Sequence, residues 1–166
     1  MKSSGRRLLS SKEKKAFVKE AFLALNIDLT EFYREKPVIE HMNLQKNTEV
    51  FLINGIPFLI KKGGDLFLTL RADALLNLLP RVIINMGAIP HICNNADVMS
   101  PGIVSVLGNF GSGAIVAIAD EKHGKFIAVG KALVGSEELK SIKSGKVVKN
   151  MHFIGDELWE FFKNLH

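Results

Sequence analysis

From Val98 to Ala119 the sequence contains no charged residue, and this uncharged segment limits the possible folds more than any other feature of the chain. A helix needs about 20 apolar residues to cross a bilayer, so the segment is long enough. It also contains Pro101, four glycines, three serines and Asn109, which would leave backbone polar groups unsatisfied in lipid. The segment therefore predicts two short buried strands joined by a Gly/Ser loop, in a protein without a membrane span.

The first helix is marked by a capping box. Ser10 is followed three residues later by Glu13, so the serine oxygen and the glutamate carboxylate can each accept a hydrogen bond from a free backbone N–H group. The helix is expected to run to about Leu25 and to stop at Asn26. Its apolar stripe, which is expected to be buried, consists of Phe17, Val18, Ala21, Phe22 and Leu25.

Short β-branched and aromatic runs indicate a small antiparallel sheet after this helix. The runs cover residues 36–43, 48–54, 57–62 and 66–70. Asn54-Gly55 and Gly63-Gly64 separate the later runs, and such pairs favour tight hairpin turns. Residues 72–80 have a helical pattern that Pro80 ends, and this proline is the predicted domain boundary.

The pattern restarts after Pro80. A strand at "RVIIN" precedes a short helix from Gly87 to Asn94, Ser136 is predicted to cap a further helix, and Asp156 begins a closing helix. The later strands are expected near residues 97–99, 114–120, 125–134 and 146–154. These elements indicate a compact β pseudo-barrel. The predicted fold class is α+β, with domains at residues 1–80 and 81–166.

The positive charge of the chain is concentrated at its beginning. Residues 1–20 contain seven Lys or Arg and two Glu, which accounts for the whole net charge of +5. A basic arm and helix on a neutral body suit a polyanionic partner, RNA above all, although a solvated helix face explains the same pattern.

No motif in the chain indicates catalysis or metal binding. No Gly-x4-Gly-Lys-Ser/Thr loop is present, and Ser112 lacks the Gly-x-Ser-x-Gly context of a nucleophile. The histidines are scattered singly, with no metal-ligand spacing. His91 and His152 are more often structural than functional, although both could hydrogen-bond a base or a phosphate. Cys93 is the single cysteine, which excludes an internal disulfide and is expected to be a buried, inert thiol in a reducing cytosol. We therefore predict a cytoplasmic protein that is not an enzyme and has no metal or cofactor.

Short motifs run in order through the second half of the chain: "VIINMGAI", "NNADVMSPGI", "IVAIAD", "FIAVGKAL", "SEEL" and "VVKNMHFIGDELW". With these motifs, residues from about Arg81 to Trp159 resemble the PUA domain, which is named for pseudouridine synthases and archaeosine transglycosylases. The preceding "FLTLRADALLNLLP" looks like the end of a pre-PUA module. The whole chain resembles an archaeal relative of the malignant T-cell amplified sequence family, small pre-PUA/PUA proteins connected with translation initiation, reinitiation and ribosome recycling.

The chain departs from the family pattern at two turns. Where the family commonly has Asn-Gly-Ala, this sequence has Asn94-Asn95-Ala96. Asparagine can adopt the left-handed conformation that glycine adopts freely, at some energetic cost. Where the family often has a Lys-Gly-Asp turn, Gly111-Ser112-Gly113 carries no charge.

The resemblance implies RNA binding without catalysis. Small residues would let backbone amides approach phosphate or ribose, and neighbouring strands would supply charge and hydrogen bonds. The glycines and Pro-Gly also shape a barrel, so a structural role remains open for them. The candidate RNA-binding residues are Gly87, Ala88, His91, Asn94, Asn95, Ala96, Ser100, Pro101, Gly102, Lys131, Lys149 and His152, with Arg6, Arg7, Lys12 and Lys15 near the first helix.

The sequence thus predicts a two-domain protein that binds tRNA or ribosomal RNA in translation initiation or recycling. Its expected partners are RNA and the small ribosomal subunit or a translation factor. The alternative is an adaptor whose pre-PUA domain docks a tRNA- or rRNA-modifying enzyme or an initiation factor.

Overall fold

The computed structural model describes residues 1–33 and 35–165. The chain forms two compact units, Met1–Leu75 and Leu76–His166. The boundary after Pro80 stays a prediction. Both units combine helices with sheets, which confirms the predicted α+β class.

The first unit contains a five-stranded antiparallel sheet in chain order. Its strands are β1 (Arg7–Leu8), β2 (Ile39–Leu44), β3 (Thr48–Ile53), β4 (Ile56–Lys62) and β5 (Asp65–Leu68). The hairpin turns follow from local chemistry, because Asn54 and Gly55 have φ of 51° and 82° and Gly63 and Gly64 have φ of 59° and 85°. The predicted meander and both turns are confirmed.

The helices of this unit are α1 (Ser11–Leu25) and α2 (Leu29–Phe32), and α3 (Asp73–Leu76) spans the boundary after Leu75. Helix α1 has the predicted capping box, and Asn26 ends it with φ of 54°. Phe17 packs on the sheet, and the centroid of its ring lies 4.2 Å from the ring centroid of Phe51. Phe22 was expected in the buried stripe, but it is 49% exposed because it lies on the flank of the helix. Helix α3 ends at Leu76, short of the predicted 72–80.

The second unit contains a six-stranded sheet with the order β7-β11-β10-β9-β6-β8. The strands are β6 (Arg81–Ile84), β7 (Val98–Met99), β8 (Ile103–Leu107), β9 (Ile115–Asp120), β10 (Phe126–Ala132) and β11 (Lys146–Phe153). All neighbours are antiparallel except β6 and β9, which run parallel.

The connection between β7 and β8 forces this sheet to curl. The two strands lie at opposite edges of the sheet, yet only Ser100–Gly102 joins them. Four residue steps reach about 14 Å at most. The outer strands of a flat six-stranded sheet would be about 24 Å apart. The edges must therefore approach each other, and the sheet is a curled half-barrel, as predicted.

Buried apolar side chains fill the half-barrel. They include Val82 and Ile84 of β6, Val116 and Ile118 of β9, and Val148 of β11. Helices α4 (Ile89–Ile92), α5 (Ser136–Leu139) and α6 (Glu157–Lys163) accompany the sheet, and a 3-10 turn at Met86–Ala88 precedes α4.

Two predictions for this unit are wrong in detail. Strand β8 was expected to be buried, but it is an edge strand paired only with β6, so Val104 and Leu107 are 53% and 54% exposed. Gly135, not Ser136, is the N-cap of α5, because the Ser136 hydroxyl bonds instead to the backbone of Phe110. In the described part of the chain, no helix has the length and apolar character needed to cross a membrane.

Candidate nucleic-acid interface

The turn before α4 packs against the turn after β7. Asn85 begins the first turn: its Oδ1 accepts a hydrogen bond from the N–H of Ala88 at 2.9 Å, and its own N–H donates to the Gly102 carbonyl at 2.9 Å. A Cβ atom on Gly102 would lie 3.3 Å from the Cβ of Ala88, so a larger residue would press on the first turn. The structure thus brings Gly87-Ala88 together with Pro101-Gly102.

Helix α4 is followed by residues Asn94–Asp97, here called the asparagine turn. Asn95 has φ of 68°, which confirms that asparagine holds the left-handed conformation at this position. The backbone N–H groups of the turn donate to α4 carbonyls: Asn94 and Ala96 to His91 at 3.1 and 3.0 Å, and Asn95 to Ile92 at 3.2 Å. The N–H groups of Asn94, Asn95 and Ala96 are thus bonded within the protein, and the approach of RNA to this turn stays a prediction.

Asn150 of β11 holds the asparagine turn against the sheet. Its Nδ2 donates to the carbonyls of Ile92 and Ala96, both at 3.0 Å. Its backbone N–H donates to Oδ1 of Asp97 at 2.9 Å. One residue of β11 thus bonds to the last residue of α4 and to the last two residues of the turn. Sequence reasoning missed Asn150, because its partners lie 53 to 58 positions earlier in the chain.

Lys131 and Lys149 are directly opposite each other on β10 and β11. Lys149 is exposed whereas the preceding Val148 is fully buried, so by strand alternation both lysines lie on the outer face of the half-barrel. Lys149 also directly precedes Asn150. The two cations therefore lie on the outer face, whereas the side chain of Asn150, one position further along β11, lies on the opposite face.

The other candidate RNA-binding residues of this unit form two groups that differ in solvent exposure. Gly87, His91, Asn94, Asn95 and Pro101 are exposed, and Ala88, Ala96 and Gly102 are half-buried.

Two predicted contact residues are buried and cannot reach RNA. The Ser100 hydroxyl donates to the Ile142 carbonyl. His152 is 0% exposed, and its Nδ1 lies 2.8 Å from Oδ2 of Asp156. The predicted RNA contacts of Ser100 and His152 are therefore corrected. The local sequence around these two residues contains no pattern that indicates their burial.

Asp156 caps α6 and also holds His152. Its Oδ1 accepts from the N–H of Trp159 at 2.7 Å, and its Oδ2 accepts from the N–H of Phe153 at 3.0 Å. Burial raises the pKa of this carboxyl, but the His152 contact and the two N–H groups outweigh burial, so the pKa of Asp156 is below its usual value.

The tip of the β9–β10 hairpin lies beside α4. Oε1 of Glu121 accepts from the N–H of Met86 at 3.2 Å. Burial raises the pKa of the Cys93 thiol, and the charge of the nearby Lys125 lowers it in part. Cys93 is half-buried rather than buried, and its raised pKa fits the expected inert thiol. Sequence reasoning did not place Lys125 near α4, because only the fold joins the two.

Around α1, the predicted cations differ in their contacts. Arg6, Arg7, Lys12 and Lys15 are all exposed. Nη1 of Arg7 is 3.0 Å from Oε1 of Glu13. The hydrogen bond from the Ser10 backbone and the contacts with Arg7 hold the pKa of Glu13 below its usual value. The charge of Arg7 is thus partly compensated by the carboxylate of Glu13, the acidic residue of the capping box.

Within residues 1–33 and 35–165, no group of three or more His, Cys, Asp or Glu side chains could hold a metal ion. Among its predicted site residues, the second unit offers a ligand two cations on the outer face and two exposed asparagines in the turn.

Comparison with known proteins identifies the second unit. Residues 80–154 match the PUA domain family. The chain is 36% identical to an uncharacterized protein of Methanocaldococcus jannaschii, over 94% of this chain and 96% of that protein. It is 27% identical to translation machinery-associated protein 20 of Saccharomyces cerevisiae, over 97% and 90% of the two chains. It is 26% identical to malignant T-cell-amplified sequence 1 of Rattus norvegicus, over 84% and 80%.

Solved structures show the same architecture. A hypothetical protein from Pyrococcus horikoshii OT3 is 30% identical, with a TM-score of 0.81 over 95% of this chain and 99% of that one. A PUA-domain structure from Aeropyrum pernix K1 shares the fold, with 24% identity and a TM-score of 0.87 over 98% and 94% of the two chains. The chain therefore belongs to the PUA-domain proteins, and it is similar in sequence to the malignant T-cell-amplified sequence family.

Proposed function

We propose that this protein binds RNA in translation and catalyses no reaction, with tRNA or ribosomal RNA as its ligand during initiation or recycling in the cytoplasm. The main support is the opposed pair Lys131 and Lys149 on the outer face of the PUA half-barrel. Relatives named as translation machinery-associated proteins support the cellular context.

The chemistry of this surface suits a nucleic-acid backbone. Two lysines on adjacent antiparallel strands can contact phosphates along one strand of RNA, because opposed side chains on a sheet have Cβ atoms about 5 Å apart. Such contacts position the RNA without reading its sequence. The exposed cations Arg6, Lys12 and Lys15 would add a sequence-independent contribution from the first unit.

Removing Lys131 and Lys149 together should weaken RNA binding and reduce its salt dependence. Each phosphate contact that is lost should lower the slope of log affinity against log salt by about 0.7 to 0.9. We expect the double variant Lys131→Ala/Lys149→Ala to bind bulk tRNA more weakly, with a slope reduced by about one to two. Fluorescence anisotropy over a salt series measures both quantities. Lys12→Ala/Lys15→Ala tests the first unit in the same way.

The control is Lys36→Ala/Lys62→Ala, which removes the same charge at two exposed positions of the first unit. It should leave the slope close to that of the unchanged protein. Equal slopes for the Lys131/Lys149 variant and the unchanged protein would contradict the assignment of this face. Absence of salt-sensitive binding to tRNA and to ribosomal RNA would overturn RNA binding itself.

The adaptor role has one observation in its favour. Phe22 and Leu23 of α1 are 49% and 75% exposed, and adjacent exposed apolar side chains suit a protein partner. In this role the first unit would dock a modification enzyme or an initiation factor. Protein binding that persists at high salt, together with absence of RNA binding, would favour it.

A further inference from the structure

Burial explains only part of the uncharged segment Val98–Ala119. Strand β9 at its end is buried, whereas β8 is an edge strand in which Val104 and Leu107 are 53% and 54% exposed. Edge strands are protected from pairing with other chains by charged side chains, proline or irregular register. Strand β8 has one register shift with β6 and neither a charge nor a proline. The lack of charge in β8 therefore needs a reason other than burial within this chain.

The outer edge of β8 has unused backbone hydrogen-bonding groups. Within the described residues, the backbone of Val104–Leu107 pairs with β6 and with no other element. In a strand that is paired on one side, every second residue directs its N–H and C=O groups away from the partner. The edge of β8 therefore offers donors and acceptors at the spacing that another extended backbone matches.

A groove of about 540 Å³ follows this edge, between β8 and the segment that contains α5. Four successive residues of β8, Ile103–Val106, line it, although their side chains alternate between the two faces of the strand. The groove therefore lies along the edge of the sheet and not on one face.

Hydrogen bonds join the two walls of the groove before and after β8. The Ser100 hydroxyl donates to the Ile142 carbonyl. The N–H of Ser136 donates to the Phe110 carbonyl at 2.8 Å, and the N–H of Phe110 donates to the Ser136 hydroxyl at 3.1 Å. The separation of the walls is therefore set before a ligand binds, which lowers the entropic cost of binding.

The size and the charge of the groove suit a short uncharged peptide. Each residue of a packed strand occupies about 160 Å³, from the spacings between residues, strands and sheets, so the groove has room for about three to four residues. The charged side chains among its described lining, Glu137 and Lys140, pair with each other at 3.0 Å. A neutral groove gives no net attraction to phosphate, and burying a charge in it would be costly. A second copy of the chain does not fit, because its own β8 lies beside its own α5.

We propose that β8 binds a short, uncharged, extended segment of a partner protein, which joins the sheet as an additional strand in the groove beside α5. Backbone pairing supplies the affinity, and the apolar lining residues Ile103, Val106 and Leu139 select apolar side chains of the segment. This site differs from the Lys131/Lys149 face, since two strands separate β8 from β10 in the sheet. The inference goes beyond RNA binding and does not depend on it.

Selection from a displayed library of random decapeptides, with the full chain as the target, tests this proposal. The enriched peptides should share a run of three or four residues without charge or proline. Methylating one backbone nitrogen at a time in an enriched peptide should weaken binding about tenfold at every second residue and little between them, because only alternate N–H groups face β8. No enrichment, enrichment of acidic peptides, or equal effects of methylation at all positions would overturn strand addition.

The variant Ser105→Lys tests the edge of β8 itself. Ser105 is exposed and lines the groove, so lysine should not disturb the fold and places on this edge the kind of charge that protects other edge strands. Peptide affinity should fall about tenfold, as for the loss of one or two hydrogen bonds. Ser144→Lys is the matched control at an exposed position outside the groove lining and should leave the affinity unchanged. Equal affinities for the two folded variants would overturn the site.

Hydrogen exchange locates the bound peptide independently. In the complex with an enriched peptide, exchange should slow at alternate amides of Val104–Leu107, because their N–H groups then pair with the peptide. Protection confined to the first unit would place the peptide elsewhere and would overturn the site. None of these measurements uses RNA, so failure of this proposal is distinguishable from failure of the proposed function.

Discussion

Replacing Asp156 with alanine should destabilise the PUA unit by about 3 kcal/mol, because its carboxylate makes three hydrogen bonds. Its oxygens bond the N–H groups of Trp159 and Phe153 and the imidazole of His152, at 2.7, 3.0 and 2.8 Å. Alanine removes the N-cap of α6 and leaves the imidazole of His152, which is 0% exposed, without its partner. Burying an unsatisfied polar group adds its desolvation cost to the lost cap.

Trp159 allows the stability of the PUA unit to be measured by fluorescence. It is the single tryptophan of the chain and lies in α6, so its fluorescence reports unfolding of the PUA unit in a denaturant titration. Asp156→Asn should cost less than alanine, since the amide oxygen can still accept from Trp159. Glu160→Ala removes an exposed carboxylate from the same helix and should change stability by about 0.5 kcal/mol or less. Equal midpoints for the two alanine variants would contradict the role of Asp156.

The same carboxylate should make stability depend on acid. The pKa of Asp156 is lowered in the folded protein, so the unfolded chain binds its proton more readily. The contribution is complete above the ordinary aspartate pKa of about 4 and is lost as pH falls through the lower, folded value. In Asp156→Asn this part of the pH dependence should be absent. An unchanged slope of stability between neutral pH and pH of about 3 would contradict the linkage.

Local chemistry made much of the fold predictable. The capping box of α1 and the Asn54-Gly55 turn involve residues within three positions of each other, so the chain sequence alone determines them. The order of the strands in the curled sheet was not predictable in this way. Strand β6 pairs with β9 and β8 on its two sides, and no local signal specifies these distant pairings.

The sequence identified candidate residues for the interface, but it did not predict their burial or the contacts that they make. Lys131 and Lys149 were identified from the family resemblance, but their opposition follows from the β10–β11 register. His152 was expected to meet RNA, and its burial became visible only with the packed core. The inward direction of the amides in the asparagine turn also depends on how α4 ends, which composition does not reveal.

Gly130→Ala should be the most destabilising glycine substitution in the PUA unit, at about 3 kcal/mol, through overpacking between β10 and β11. A Cβ at this position would lie 2.4 Å from Cγ1 of Val148 and 2.9 Å from the carbonyl oxygen of Lys149. Real Cβ contacts are not this short, so β11 would have to move away from β10. Because β11 carries Lys149 and Asn150, we expect RNA affinity to fall together with stability. Trp159 fluorescence during unfolding measures the stability change.

A second-site change separates this clash from a general intolerance of substitution. Val148→Ala removes the nearer of the two obstructing atoms, so the double variant Gly130→Ala/Val148→Ala should be more stable than the sum of the single effects predicts. It should not recover fully, because the Lys149 carbonyl remains and Val148 leaves a cavity. Gly111→Ala is the control, since no atom lies within 4 Å of its added Cβ. Additive losses in the double variant would mean that contact with Val148 does not set the requirement for glycine, and the Lys149 carbonyl and Ile118 Cδ1, 2.9 and 3.1 Å from the added Cβ, would then set it.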